Sequence, residues 1–400
     1  MKRHAAILAL LAGFFLAWPS AGALAKTYSV SDLAGTWQSL ALVTGDRPVD
    51  EPRVEFGTVA IEASGSASKS YTLLNDIFAE ERTDRWNLVM DPDEGLVSQA
   101  DPDQYTFSYV VSQDENYMAG VDSDSGHRLE VLMRRSPGKV FRYEDLLGTW
   151  YYQSVTSGDS AWGEVPRLAH GTVEFVAAAG ANAYTAVLDG METNDARIDP
   201  TAFVESLYPL TMDANGIVTW PDSDTFMRWV LSDDKNVLVG IRLYGGNQFE
   251  ILIRKDAAVQ FGVADTAGMW YSQAVVAGDD DANATLYWDE GVINIGENGT
   301  GKAQWNRSYG DTFIVGASMA AINAEGQLLD PESPDFYFTM APDKRFMAGS
   351  KFGSNIDGQS GGFRMEVLFR HDPLADPPFE PKNGGGGGGT CFISGALDGR

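Results

Sequence analysis

A short element occurs three times along this chain, as DLAGTW at 32–37, DLLGTW at 145–150 and DTAGMW at 265–270. Other landmarks keep register with its tryptophans, Trp37, Trp150 and Trp270. Tyr28, Phe141 and Phe261 each precede their tryptophan by nine residues, and Gly45, Gly158 and Gly278 each follow it by eight, with an aspartate next. GTVAI at 57–61 matches GTVEF at 171–175 and GVINI at 291–295. DENYMAG (114–120) matches DKNVLVG (234–240) and DKRFMAG (343–349). Each copy closes on one pattern: LEVLMR at 129–134, FEILIR at 249–254 and MEVLFR at 365–370. This is an internal triplication with a period of about 115 residues, too long for a solenoid unit, so each copy is a whole small domain.

The local signals are β. Short runs rich in Val, Thr, Tyr and Phe, such as TWQSLALVTG, GTVAIEAS and YTFSYVVS, alternate with turn sequences such as DPDEG (91–95), DANG (213–216) and NAEG (323–326). In the first copy the pattern predicts about eight strands, near 36–44, 57–64, 68–75, 85–90, 95–99, 104–112, 117–122 and 128–135. Strands at that spacing form an antiparallel meander. Closing the meander removes its exposed edges. The expected fold is therefore all-β, with three tandem antiparallel up-and-down β-barrels of about eight strands each; two-sheet sandwiches are the alternative. Only NDIFAEER (75–82) and PTAFVESL (200–207) read as short helices or lid-like loops. The domain boundaries predicted are 26–139, 140–258 and 259–372.

A Gly-x-Trp on the first strand and an arginine on the last strand of such a barrel resembles the calycin superfamily, which includes lipocalins, fatty-acid-binding proteins and avidins. The resemblance covers the three repeats as lipocalin-like domains. It implies that Trp37, Trp150 and Trp270 lie across closed barrel ends, with Arg134, Arg254 and Arg370 packed over them. A contact of that kind adds roughly 0.5–2 kcal/mol. In fatty-acid binders a late-strand arginine pairs with a ligand carboxylate, and these three arginines are the positions to which that role carries over.

In LEVLMR, Leu129, Val131 and Met133 share one face of a strand; Glu130, Leu132 and Arg134 share the other. The plainer expectation turns the apolar face inward and the Glu/Arg face to water. The sharper one sends Glu130, Glu250 and Glu366, or the arginines, toward a polar cavity or barrel end. The middle copy has the longest segment between its Gly-Thr-Val strand and its Asn-Gly turn. Within it, Phe203, Leu207, Tyr208 and Leu210 are the candidate ligand-binding residues, capping an open barrel end. The alternative is a satellite helix that plugs the barrel.

The termini differ from the repeats. Residues 1–25 read as a secretory signal peptide: Lys2 and Arg3, then the apolar run AAILALLAGFFLAW, then a small-residue ALA cleavage site at 23–25. Residues 373–400 read as a Pro/Gly-rich linker ending in TCFISGALDGR. The glycine run followed by Cys-Phe-Ile resembles the CFI-box tail of some exported bacterial proteins. That resemblance implies a sorting or attachment signal at Cys391, the chain's sole cysteine. The location expected is the periplasm, the medium or the cell surface of a bacterium.

The net charge of −27 repels nucleic acid and anionic lipid and excludes both as partners. His127, His170 and His371 fall at non-equivalent positions without metal spacing. Acidic stretches such as DSDSG (122–126) and GDDDAN (278–283) lack a full calcium loop and read as hairpin turns. No phosphate loop or nucleophile elbow is present. No cofactor, metal or catalytic residue is expected. Two functions fit: an exported non-enzymatic binder of small apolar or amphipathic ligands, or a structural or adhesive envelope protein whose barrels act as spacers or docking units. Partners expected are a small hydrophobic ligand, an envelope protein, or sorting machinery reached through the tail. Bulky, filled interiors favour the second function; an apolar cavity of roughly 300 Å³ or more favours the first.

Overall fold

The computed structural model describes residues 26–371, apart from 45–51, 76–78, 100–107, 124–125, 158–164, 179–182, 195–199, 222–225, 244, 278–285, 309–311, 320, 331–332 and 353–361. The signal segment, the acidic stretch 278–283, the linker and Cys391 lie outside the described residues.

The first repeat is built from β1 (Gly35–Thr44), β2 (Arg53–Ile61), β3 (Ser66–Leu74), β4 (Ala79–Met90), β5 (Leu96–Gln99), β6 (Ser108–Val111), β7 (Tyr117–Asp122) and β8 (His127–Arg135). Each pairs with the next, and β1 pairs with β8, closing an up-and-down barrel. The second repeat closes the same way through β9 (Gly148–Thr156), β10 (Arg167–Ala177), β11 (Ala183–Thr193), β12 (Thr201–Met212), β13 (Ile217–Thr219), β14 (Met227–Leu231), β15 (Val237–Leu243) and β16 (Asn247–Arg254). These are lipocalin-like barrels, and the sandwich alternative is set aside.

The third repeat comprises β17 (Gly268–Val276), β18 (Tyr287–Ile295), β19 (Thr300–Arg307), β20 (Thr312–Ser318), β21 (Gln327–Asp330), β22 (Ser333–Met340), β23 (Phe346–Phe352) and β24 (Phe363–His371). It has the same strand order, with β17 joined to β24, but β20 and β21 do not pair among the described residues. One bridge, Ile322 to Leu328, marks the seam. The seam is weak in every copy. Leu88, Val89 and Met90 make the β4–β5 ladder, and only Thr211 and Met212 pair across β12–β13.

Both segments expected to be helical or lid-like run largely as strand among the described residues. Residues 79–82 belong to β4 and residues 201–207 to β12. The helical reading of the second has an identifiable cause. Tyr184 pairs with Leu210 and Ala186 with Leu207, so β12 carries an extra residue opposite β11. This bulge falls at Tyr208 and Pro209, where proline is tolerated, and it turns both Leu207 and Leu210 into the core. The resulting three-residue spacing imitates helical periodicity.

The repeated Asp-x-x-Gly-x-Trp element is the closed end of each unit. The aspartates Asp32, Asp145 and Asp265 accept from the backbone N–H of Ser29, Arg142 and Gly262, at 2.9, 2.7 and 2.9 Å. The tryptophan indoles donate to the carbonyls of Leu33, Leu146 and Thr266 at 2.9, 3.0 and 2.8 Å. Gly35, Gly148 and Gly268 sit at φ of +142°, +112° and +128°, which L side chains rarely adopt and which explains the invariable glycine. The guanidinium of Arg134 lies 4.8 Å from the Trp37 ring, and that of Arg254 lies 4.2 Å from Trp150. Arg370 is the cross-strand partner of Trp270 and donates to the Asp265 carbonyl at 3.0 Å.

The three units are fused by a shared core. Leu129, Val131 and Met133 do not face the barrel interior, as the plainer expectation had it. They face outward and join Phe249, Ile251 and Ile253 and then Met365, Val367 and Phe369 in one apolar cluster between the barrels. Polar contacts tie every pair of units. Tyr117 donates to Asp234 at 2.8 Å, Tyr151 to Glu325 at 2.7 Å, and the Tyr28 hydroxyl meets His371 Nδ1 at 3.2 Å. No helix among the described residues is long and apolar enough to cross a membrane.

Candidate functional site: barrel interiors and the cleft between the first and third units

Turning the apolar face outward turns the glutamates inward. Glu130, Glu250 and Glu366 are all buried. Each accepts a hydroxyl from the residue two after its tryptophan: Ser39 in the first unit, Tyr152 in the second (3.1 Å) and Ser272 in the third. In the first unit Lys69 bridges Glu130 (2.9 Å) and Glu55 (2.8 Å), and Arg128 joins the same pair. In the third, Arg364 joins Glu366 at 3.0 Å and also pairs with Asp289.

Aromatic side chains fill the space beside these carboxylates. Tyr109 and Trp229 donate to Glu130 and Glu250. Tyr109, Trp229 and Phe338 lie against Gly120, Gly240 and Gly349, where a Cβ would overlap the rings at 2.3, 1.7 and 2.1 Å. The interiors are thus packed with Trp37, Trp150, Trp229, Trp270 and Trp305, all buried, and with paired ions. Arg134 and Arg254 are engaged by their tryptophans, and all three arginines, Arg370 included, donate to turn carbonyls at the floor.

The candidate ligand-binding residues of the middle copy lie on one strand. Leu207 and Leu210 are buried core residues, Phe203 is half-buried against the same core, and Tyr208 is exposed on the outer surface. They do not form a lid. Among the described residues, no group of three His, Cys, Asp or Glu side chains is placed to hold a metal ion.

A cleft of about 190 Å³ opens instead between the first and third units. One wall is the outer face of β17, β18 and β19, organised in two cross-strand rows. Gln273, Glu290 and Asn306 form one row; Tyr271, Val292 and Gln304 form the next. The facing wall is Glu94, Leu96, Ser108 and Val110 of the first unit. Gln273 and Tyr271 are 1% and 2% exposed, yet Gln273 Oε1 and the Tyr271 hydroxyl have no hydrogen-bond partner, nor does Gln304 Oε1. Such buried orphans are costly, at about 1–3 kcal/mol each. Burial raises the carboxyl pKa of Glu290, and burial together with Asp91 and Asp93 raises that of Glu94. His371 lies behind Tyr271, ring to ring at 4.7 Å, and burial pushes it down to about 4.

The equivalent place between the second and third units is closed. There Tyr151 donates to Glu325, and Gln153 donates to Thr339 at 3.2 Å. The repeat register makes Tyr271, Gln273, Glu94 and Val110 the counterparts of Tyr151, Gln153, Glu325 and Thr339. Val110 has no hydroxyl to offer Gln273, and the first–third junction leaves a space where its sister junction is zipped.

None of these cleft residues was singled out by the sequence reading, because they come from five strands and a turn of two distant repeats. The one usable signal was the valine at 110 where the third copy has a threonine at 339.

No protein-family model and no curated protein matches this chain. Among solved structures, a protein of unknown function from the DUF3598 family of Nostoc punctiforme is similar at 10% identity and a TM-score of 0.19, over 86% of this chain and 99% of that one. A point mutant of the vaccine antigen transferrin binding protein B from Haemophilus parasuis is similar at 10% identity and a TM-score of 0.23, over 85% of this chain and 77% of that one. Kievitone hydratase from Nectria haematococca is similar at 8% identity and a TM-score of 0.18, over 88% and 95%. Likenesses this loose carry neither function nor family to this chain.

Proposed function

We propose that this chain is an exported, non-enzymatic binding protein of the bacterial envelope, and that its ligand sits between barrels rather than inside one. The observation behind this reading is the cleft with its three orphaned buried polar atoms. The cleft gathers three of the chain's buried unpartnered polar atoms around one open space, and a ligand that pairs with them recovers the cost. The filled interiors argue against the usual lipocalin mode of an apolar guest within the barrel. Export, Cys391 as an attachment point and a periplasmic, secreted or surface location rest on residues 1–25 and 373–400 of the sequence.

The filled interiors and the shared core also favour a second reading, in which the fused barrels are a rigid docking unit for another envelope protein. Native mass spectrometry of protein purified from its own host separates the two. The binding reading expects a small-molecule adduct that is lost in Ser108→Trp, which fills the cleft from the first unit. A host-purified protein with no adduct, or an adduct indifferent to Ser108→Trp, favours the docking role.

A further inference from the structure

We infer that the cleft between the first and third units recognises a small organic cation, a primary ammonium on a short apolar stem. This rests on the binding reading above and adds the chemistry of the ligand. The polar atoms offered to a guest include four acceptor groups: the carboxylates of Glu94 and Glu290 and the unpartnered amide oxygens of Gln273 and Gln304. The Tyr271 hydroxyl can accept as well. Among the described residues, the lining contains no lysine, arginine or histidine.

Elsewhere the same chain matches buried carboxylates with its own cations: Glu130 with Lys69, Glu250 with Arg242 and Glu366 with Arg364. Among the described residues Glu290 has the Asn306 amide at 3.5 Å, at the limit of a hydrogen bond, and the Ser108 hydroxyl, and no cation pairs with it. A cation supplied from outside is the missing counter-charge. An ammonium has three donors and no acceptor, which suits these carboxylates and amide oxygens. Leu96, Val110 and Val292 give the stem an apolar surface. At about 30 Å³ per water, the cleft holds on the order of six waters' volume, enough for a short alkyl amine and too little for a fatty acid. The chain's net charge of −27 concentrates cations near it.

The test is calorimetric titration of the full folded chain with 1,4-diaminobutane, 1-butylammonium, 1,4-butanediol and calcium chloride. The inference expects both amines to bind, the diol to bind at least tenfold more weakly, and raised salt to weaken the amines. Glu290→Gln should lower amine affinity tenfold or more. Glu94→Gln should lower it by a smaller factor, with both variants keeping the wild-type melting profile without ligand. Diol binding equal to that of the diamine would sink the cation assignment while leaving the cleft a binding site. Binding of calcium in place of the amines, or amine binding unchanged in both variants, would overturn the inference too. Absence of binding by all four probes overturns it as well, and the host-purified adduct then judges the binding reading by itself.

Discussion

The first and second barrels solve one problem with opposite balances of charge. Each buries a glutamate from its last strand among aromatic rings. Around Glu130 stand two cations, Lys69 and Arg128, and a second buried acid, Glu55. Around Glu250 stands one, Arg242, at 3.6 Å, and that arginine is shared with Glu205 at the barrel's edge. Burial alone would raise Glu130; Lys69 and Arg128, with hydrogen bonds from Ser39 and Tyr109, override it and hold the carboxyl down at about 2. Burial also raises Glu250, and there Arg242 offsets it only in part, so its pKa stays above the ordinary value. The lesson is that repeat symmetry preserves the position of a buried acid without preserving the direction in which its pKa moves. Four substitutions in the repeat do this. Leu188 stands where the first copy has Lys69, Gln248 where it has Arg128, Ala169 where it has Glu55, and Arg242 where it has Asp122.

The largest effect should come from removing the acids. In Glu130→Gln, Lys69 and Arg128 are left to share Glu55, and breaking a buried ion pair costs roughly 3–5 kcal/mol. In Glu250→Gln, the Trp229 and Tyr152 donors keep an acceptor and Arg242 keeps Glu205, so the expected cost is about 1–3 kcal/mol. Urea unfolding of the two variants measures both. Equal losses would mean that the second cation in the first barrel contributes nothing.

Next in size is a pH effect with opposite sign in the two barrels. Glu130 is depressed from the ordinary 4.5 to about 2. Its contribution is therefore present above the unfolded value and lost as pH falls from about 4.5 through 2, by roughly 3 kcal/mol at 1.36 kcal/mol per unit. Glu250 is raised, so its contribution is present below 4.5 and fades as pH rises through the folded value. Burial pushes His127, His170 and His371 down to about 4, so their contributions are lost in a higher window, from 6.5 through 4. Stability measured between pH 4.5 and 2 should flatten in Glu130→Gln and keep its slope in Glu250→Gln. An unaltered acid limb in Glu130→Gln would show that the carboxyl is not ionised in the fold.

Some of this was readable in the sequence. The triplication and the eight strands follow from local pattern and register, and the pairing of Trp37 with Arg134 and Trp150 with Arg254 is what the calycin resemblance implies. The direction of the last strand did not. Alternation separates Leu129, Val131 and Met133 from Glu130, Leu132 and Arg134, but it identifies the inside only when the other face meets water. Here both faces are buried, one by the barrel and one by the sister barrels. The lid expected around Phe203 failed for a different reason, since a bulge at Tyr208 and Pro209 gave a strand helical spacing. The cleft was illegible because it exists only where two repeats meet.

The smallest effect reverses the ranking of the two barrels. At the tryptophan floor the second is the better held. Arg254 Nε donates to the Lys235 carbonyl at 2.8 Å, Nη1 to Leu147 at 3.1 Å, and Nη2 to Asp145, with the guanidinium 4.2 Å from Trp150. Arg134 donates through Nη2 to Asp32, its Nε is unpartnered, and it stands 4.8 Å from Trp37. Lysine keeps the charge at either site and loses the planar fork. At about 0.5–1.5 kcal/mol per hydrogen bond, Arg254→Lys should cost about 1–2 kcal/mol and Arg134→Lys about half of that. Because the barrels share one apolar core, both losses should be read in a single unfolding transition. A cost for Arg134→Lys that matches or exceeds that for Arg254→Lys would show that the floor is held by charge over the ring alone. The extra carbonyl contacts of the second barrel would then carry no weight.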